Sequence, residues 1–100
     1  MIVVIAHLII RPGTAPLLLD AARRCVAETR KESGCISYDL YQSITDPDDL
    51  TFIERWEHRD ALSAHSRSAH VAEWRAAGAP HIIERRIDVI HPGTIENHRV

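Results

Sequence analysis

The sequence contains few cysteines: only Cys25 and Cys35 occur among its 100 residues. Small secreted domains that depend on disulfides usually carry more of them. Hydrophobic residues make up 45% of the chain, enough for a core that needs no covalent crosslink. Cys25 falls in the apolar stripe of a helix-like segment, and Cys35 opens a strand-like segment. We therefore predict two free thiols in a protein of the reducing cytoplasm.

Excess positive charge and long apolar runs are also missing. The chain has 12 Lys and Arg residues against 14 Asp and Glu residues, and the basic residues are scattered among the acidic ones. This pattern lacks the basic stripe of nucleic-acid-binding proteins. No apolar run approaches the ~20 residues that a membrane-spanning helix needs. Neither nucleic acid nor a membrane is expected as a partner.

Short catalytic motifs are absent as well. The chain has no glycine-rich phosphate loop, no CxxC pair, no HExxH metal motif and no GxSxG nucleophile motif. His58, His65 and His70 do not have the i,i+4 spacing that places two metal ligands on one helix face. We therefore expect no metal site.

What is present is an alternation of strand-like and helix-like segments. A nearly continuous apolar run predicts a strand over residues 2–10, which a turn at residues 11–13 ends. Helical spacing then runs from an N-cap at Thr14 to Lys31, with Gly34 as the C-cap. The later elements are predicted strands over residues 35–43, 51–57 and 82–90 and short helices over residues 58–65 and 68–78.

The resulting order β-α-β-β-α-β predicts a ferredoxin-like α+β fold, in which a four-stranded antiparallel sheet carries its helices on one face. The first strand is apolar on both sides. The uncovered side would expose several hundred Å² of apolar surface, roughly the upper limit for a monomer. A second copy of the chain is the simplest cover, so a homodimer is predicted.

Polar side chains in apolar surroundings are the candidates for chemistry. His7 interrupts the first strand. It is either a structural histidine, bonded to a neighbouring carbonyl or touching water at a strand end, or a proton acceptor or donor that lines a cavity. Phe52, Glu54 and Trp56 share one face of the third strand. Glu54 either lies on a solvated face beside a base such as Arg85 or belongs to a buried site, where it must be paired. Trp56 is either part of the core or a wall for a flat aromatic ligand.

One stretch of the chain resembles a known family. Residues 32–43, ESGCISYDLYQS, are similar to the E-x-G-C-x-x-Y-x-L-Y-x-S segment of the antibiotic biosynthesis monooxygenase family. The similarity covers about residues 32–74. It continues in order through DP at 46–47, FIERWE at 52–57, AL at 61–62, His65 and SAH at 68–70.

The resemblance implies a dimeric α+β barrel, which we assign to residues 1–91. Because the end of the chain contains Pro92-Gly93 and is mostly polar, residues 92–100 are predicted to form a C-terminal tail. The resemblance also implies a cavity between the sheet and the helices. The expected catalytic residues are His65, Glu54 and His7, and the expected substrate contacts are Trp56, Tyr38, Tyr41 and Phe52.

The activity that the resemblance implies is oxygenation of a small aromatic phenol or quinol by O₂ without metal, flavin or other cofactor. His65 would be the base or a hydrogen-bond partner, and Glu54 would orient an imidazole or the substrate. Trp56 would be a stacking wall, and His7 a second polar contact. Two alternatives stay open on the same scaffold: an isomerase for a small carbonyl compound, and a binding domain for small molecules without catalysis.

Overall fold

The computed structural model describes residues 1–99, which form four strands and three helices. In chain order these are β1 (Ile2–Ile10), α1 (Ala15–Thr29), β2 (Cys35–Gln42), β3 (Asp49–Trp56), α2 (Arg59–Ser66), α3 (Ala69–Gly78) and β4 (Ile82–Ile90). The strands form one antiparallel sheet in the order β2-β3-β1-β4. This is the predicted α+β ferredoxin-like fold.

The two sides of the sheet differ in how well they are covered. Alternate side chains of β1 point to opposite sides. One set is buried beneath the helices and consists of Ile2, Val4, Ala6, Leu8 and Ile10. The other set is only half-buried and consists of Val3, Ile5, His7 and Ile9. We call this second side the open face; by register it also carries Ile53 of β3 and Ile90 of β4.

Two predicted helix signals are wrong in detail. Thr14 makes no side-chain cap on α1, because its hydroxyl donates to the carbonyl oxygen of Arg11 at 2.7 Å instead. Gly34 does not cap α1, which ends at Thr29. Gly34 leads into β2 at φ +83°, and a Cβ there would lie 2.6 Å from the Cβ of Ala61. Glycine is therefore needed for the close approach of α2 to this loop.

The remaining predictions concern the cysteines and the chain end. Cys25 is buried and Cys35 partly buried, and both are free. Residues 91–99 form neither helix nor strand and are almost entirely exposed. The predicted tail covers residues 92–100, of which the structure describes residues 92–99. Val100 lies outside the described residues. None of the helices within residues 1–99 combines the length and apolarity needed to cross a membrane.

Candidate active site

A cavity of about 200 Å³ lies between the sheet and helices α2 and α3. Its apolar lining consists of Val4, Ala6, Leu8, Phe52, Leu62, Val71, Trp74, Ile87 and Val89. Its polar lining consists of Tyr38, Glu54, Arg59, His65, Ser66, Arg75 and Arg85. A mainly apolar cavity with a few polar groups is typical of a small-molecule site. Since most such sites have volumes of roughly 300–1,000 Å³, this one suits a small ligand.

Glu54 is a buried carboxyl group in this lining. It lies on β3 between the buried rings of Phe52 and Trp56 and is 4% exposed. The indole Nε1 of Trp56 donates to its Oε1 at 3.1 Å. Burial raises the pKa of Glu54 to about 7, although the hydrogen bond from Trp56 acts in the opposite direction. The carboxyl group is therefore able to give or take a proton near neutral pH.

His65, near the end of α2, supplies the second titratable group. Its Nδ1 lies 2.7 Å from Oε2 of Glu32 in the loop before β2. A carboxylate only accepts hydrogen bonds, so Nδ1 carries the proton and Nε2 keeps a free lone pair. Burial lowers the pKa of His65, and the Glu32 carboxylate partly offsets this effect. The site thus contains a neutral, oriented imidazole, which is suited to act as a base.

Aromatic rings hold this imidazole in place. The ring centroid of His65 lies 4.7 Å from that of Trp56 and 5.1 Å from that of Tyr38. The Tyr38 ring lines the cavity, while its hydroxyl lies 3.8 Å from the Sγ of Cys25. Burial raises the pKa of Tyr38 far above its ordinary value, so the phenol stays protonated. Tyr38 therefore serves the site as a wall.

The expected role of Trp56 needs a correction. Trp56 is fully buried and lies outside the cavity lining. Its indole packs behind His65 and donates to Glu54, so it positions these two groups and offers no surface for stacking a ligand. Phe52 and Tyr38, both predicted contacts, form the aromatic wall together with Trp74, which was not predicted.

His7 and Tyr41 are not brought to this cavity. Both are paired with Thr51 in the sheet, one position away from Phe52, so they point to the open face. The Nε2 of His7 lies 2.6 Å from Oδ1 of Asp49 on that side. The expectation that His7 and Tyr41 contact the same ligand as Glu54 is therefore corrected.

Several site residues were not predicted. Glu32 begins the segment that carries the family resemblance, but its contact with His65 depends on how α2 packs against a loop 33 positions earlier. Arg59, Arg75 and Arg85 come from three different elements, so no local spacing groups them. Only the packed fold brings these residues together.

One cluster contains residue types that bind metals. Within residues 1–99, Glu32, His65 and His70 bring potential ligand atoms within 4.8 Å of one another. The Nε2 of His70 is buried 3.4 Å from Oε2 of Glu32 but forms no hydrogen bond. The 2.7 Å between Glu32 and His65 is a hydrogen-bond distance. It is shorter than the roughly 3.3 Å between two tetrahedral ligands with bonds of ~2.0–2.1 Å. The cluster therefore has the geometry of a histidine supported by a carboxylate.

Comparison with known proteins identifies the family. The family model for antibiotic biosynthesis monooxygenases matches residues 1–77. The "Probable quinol monooxygenase YgiN" of Escherichia coli (strain K12) is 31% identical over 104 aligned positions, which cover 93% of this chain and 99% of YgiN.

Solved structures agree with this result. Rv0793 from Mycobacterium tuberculosis superimposes with a TM-score of 0.86 at 31% identity, covering 96% of this chain and 98% of that one. PA3566 from Pseudomonas aeruginosa gives a TM-score of 0.85 at 29% identity, covering 93% and 94%. The protein therefore belongs to the antibiotic biosynthesis monooxygenase family, and its function at the level of the family is monooxygenase-like.

Proposed function

We propose that this protein is a cofactor-independent monooxygenase that oxidises a small aromatic phenol or quinol with O₂. The observation that carries this proposal is the pairing of two titratable groups in one apolar cavity. His65, oriented by Glu32, and Glu54, held by Trp56, both line a space walled by aromatic rings.

The chemistry starts with removal of the phenolic proton by Nε2 of His65. The resulting anion is electron-rich enough to reduce O₂ directly, which leaves a peroxide anion on a ring carbon. The imidazolium of His65 returns its proton to this peroxide, and the carbon then carries a hydroperoxide. Cleavage of the O–O bond, with loss of the proton on that carbon, leaves a quinone carbonyl and releases water. One oxygen atom enters the product and the other becomes water, so the substrate itself supplies all four electrons.

The remaining groups assist these steps. Since the pKa of Glu54 is about 7, its carboxyl group can take the proton from the ring carbon and return it to the departing oxygen. The apolar walls exclude water from the reactive anion and the peroxide. The imidazolium formed on His65 is stabilised by the carboxylate of Glu32 at 2.7 Å.

Oxygen uptake tests the proposal. The rate of oxygen uptake with a panel of naphthohydroquinones and hydroxyanthracenes is measured for the wild-type protein, for His65→Gln and for the control His91→Gln. The control alters an exposed residue after β4. Removal of a general base should slow uptake about 10²-fold or more, while the control should match wild type. With ¹⁸O₂, the product should gain one labelled atom.

Three outcomes would contradict the proposal. Equal rates for wild type and His65→Gln would remove His65 from the mechanism. Turnover under strict anaerobiosis would favour an isomerase. Stabilisation by a ligand without any product would favour a binding domain.

We also propose that the active species is a homodimer joined through the open face. Ile53 and Ile90 are 38% and 39% exposed there, beside half-buried Val3, Ile5 and Ile9. Burial of such apolar side chains favours association. In sedimentation experiments Ile53→Glu should give monomers, whereas Ile44→Glu, at a fully exposed position between β2 and β3, should not. A monomeric wild-type protein at micromolar concentration would refute the dimer.

A further inference from the structure

Three exposed arginines line the cavity. Arg59 begins α2, Arg75 lies in α3, and Arg85 lies on β4 opposite Leu8 of β1. All three line the cavity and all three are exposed. We call this set the arginine rim. It concentrates positive charge at the cavity, although the whole chain carries a net charge of -2.

In the part of the chain that the structure describes, the arginine rim forms no ion pair with an acidic side chain. The ion pairs that other arginine and lysine side chains of residues 1–99 make with carboxylates involve Arg23, Arg30, Lys31 and Arg86. Within residues 1–99, no carboxylate oxygen comes within 4.0 Å of a rim guanidinium. The Nη1 of Arg75 donates to the carbonyl oxygen of Ser66 at 3.3 Å. Most donor groups of the rim are thus free to bind a ligand.

Glu54, the one carboxyl group in the cavity lining among the residues that the structure describes, does not balance this charge. Glu54 already accepts a hydrogen bond from Trp56 and lies deep in the cavity. Because its pKa is raised to about 7, it carries only part of a negative charge at neutral pH. Three positive charges therefore face at most one negative charge.

This arrangement complements a ligand with two different ends. The interior is apolar and aromatic, whereas a guanidinium offers a planar pair of donors that matches a carboxylate. Building on the proposed function, we propose that the substrate is an aromatic phenol or quinol that bears a carboxylate. The ring system occupies the cavity with its hydroxyl group towards His65, and the carboxylate binds the arginine rim.

A matched pair of ligands tests this inference without turnover. The compounds 2-naphthol and 6-hydroxy-2-naphthoate share a ring system and a hydroxyl group and differ in the carboxylate. By isothermal titration calorimetry at low salt, the naphthoate should bind about tenfold more tightly, since charge-assisted hydrogen bonds between a guanidinium and a carboxylate are stronger than neutral ones. This preference should shrink at high salt, because exposed charges are screened.

Single variants then locate the preference. Arg59→Gln, Arg75→Gln and Arg85→Gln should each weaken naphthoate binding several-fold and leave 2-naphthol binding unchanged. Arg24→Gln, on the exposed surface of α1, is the control and should change neither affinity. Circular dichroism establishes that each variant is folded before it is used.

The possible results separate this inference from the proposed activity. Equal affinity for the two compounds, tighter binding of 2-naphthol, or no binding of either at millimolar concentration would overturn the inference. Oxygen uptake with neutral quinols and no gain from a carboxylate would leave the monooxygenase proposal standing and refute this one. A carboxylate preference without oxygen uptake would support the carboxylate inference and refute the monooxygenase proposal.

Discussion

Replacement of Glu32 by glutamine should slow turnover and move its acid limb to lower pH. The substitution keeps the size of the side chain but removes the charge that faces Nδ1 of His65 at 2.7 Å. The amide can also donate to Nδ1, which would place the imidazole proton on Nε2, where it blocks the proposed base. Both effects hinder the transfer of the phenolic proton from the substrate to Nε2 of His65.

The expected magnitude follows from the burial of the pair. The side chains of His65 and Glu32 are only 7% and 18% exposed, so solvent screens their interaction little. A hydrogen bond to a charged group contributes about 2 kcal/mol, which corresponds to roughly a 30-fold loss in kcat. The carboxylate favours the imidazolium, so its removal should lower the pKa of His65 further.

Two measurements check this prediction. Oxygen uptake between pH 4.5 and 9 gives the acid limb of kcat, and NMR titration of the His65 imidazole gives its pKa without substrate. Glu28→Gln is the matched control, because Glu28 is an exposed carboxylate that pairs with Lys31. An acid limb that stays in place or moves to higher pH, with kcat within a factor of two of wild type, would refute the role of Glu32.

Further predictions concern stability and Glu54. Because the pKa of Glu54 is raised to about 7, the folded protein keeps a proton that the unfolded chain releases near pH 4.5. The free energy of unfolding should therefore decrease as the pH rises from 4.5 to about 7. Urea unfolding should therefore show that Glu54→Gln gains more stability over wild type at pH 8 than at pH 4.5. Trp56→Phe removes the donor to Glu54 and should raise the Glu54 pKa further, measured by carbon-13 NMR. Gly34→Ala should cost about 2–3 kcal/mol, since its Cβ meets Ala61 at 2.6 Å. Gly13→Ala, with φ +77° and open space, should cost only about 1–2 kcal/mol.

The elements of the fold were predictable because their signals are local. Period-two alternation and helical spacing gave all strands and helices to within two residues of their observed ends. The same alternation placed Phe52, Glu54 and Trp56 on one face of β3. Whether that face lies beneath the helices was not predictable, because β1 is apolar on both sides and does not reveal which side the helices cover. This ambiguity explains why His7 was assigned to the cavity.

The roles of the site residues were less accessible from the sequence. Trp56 looked like a ligand wall, but the direction of its indole depends on how α2 places His65 against it. The partner of His65 could not be chosen from spacing, because Glu32 approaches it through a contact between a loop and a helix. Hydrogen bonds of this kind depend on distances of a few tenths of an ångström, which no sequence pattern encodes.

The sequence by itself determined the strands, the helices, the family and the presence of a carboxylate and a histidine in the site. These follow from short-range patterns and from a motif that keeps its order along the chain. The tertiary structure alone decided that His7 and Tyr41 face away from the cavity, that Glu32 orients His65, and that three arginines line the cavity. The physical reason is that burial, pKa and charge complementarity depend on neighbours in space, and packing brings those neighbours from distant parts of the chain.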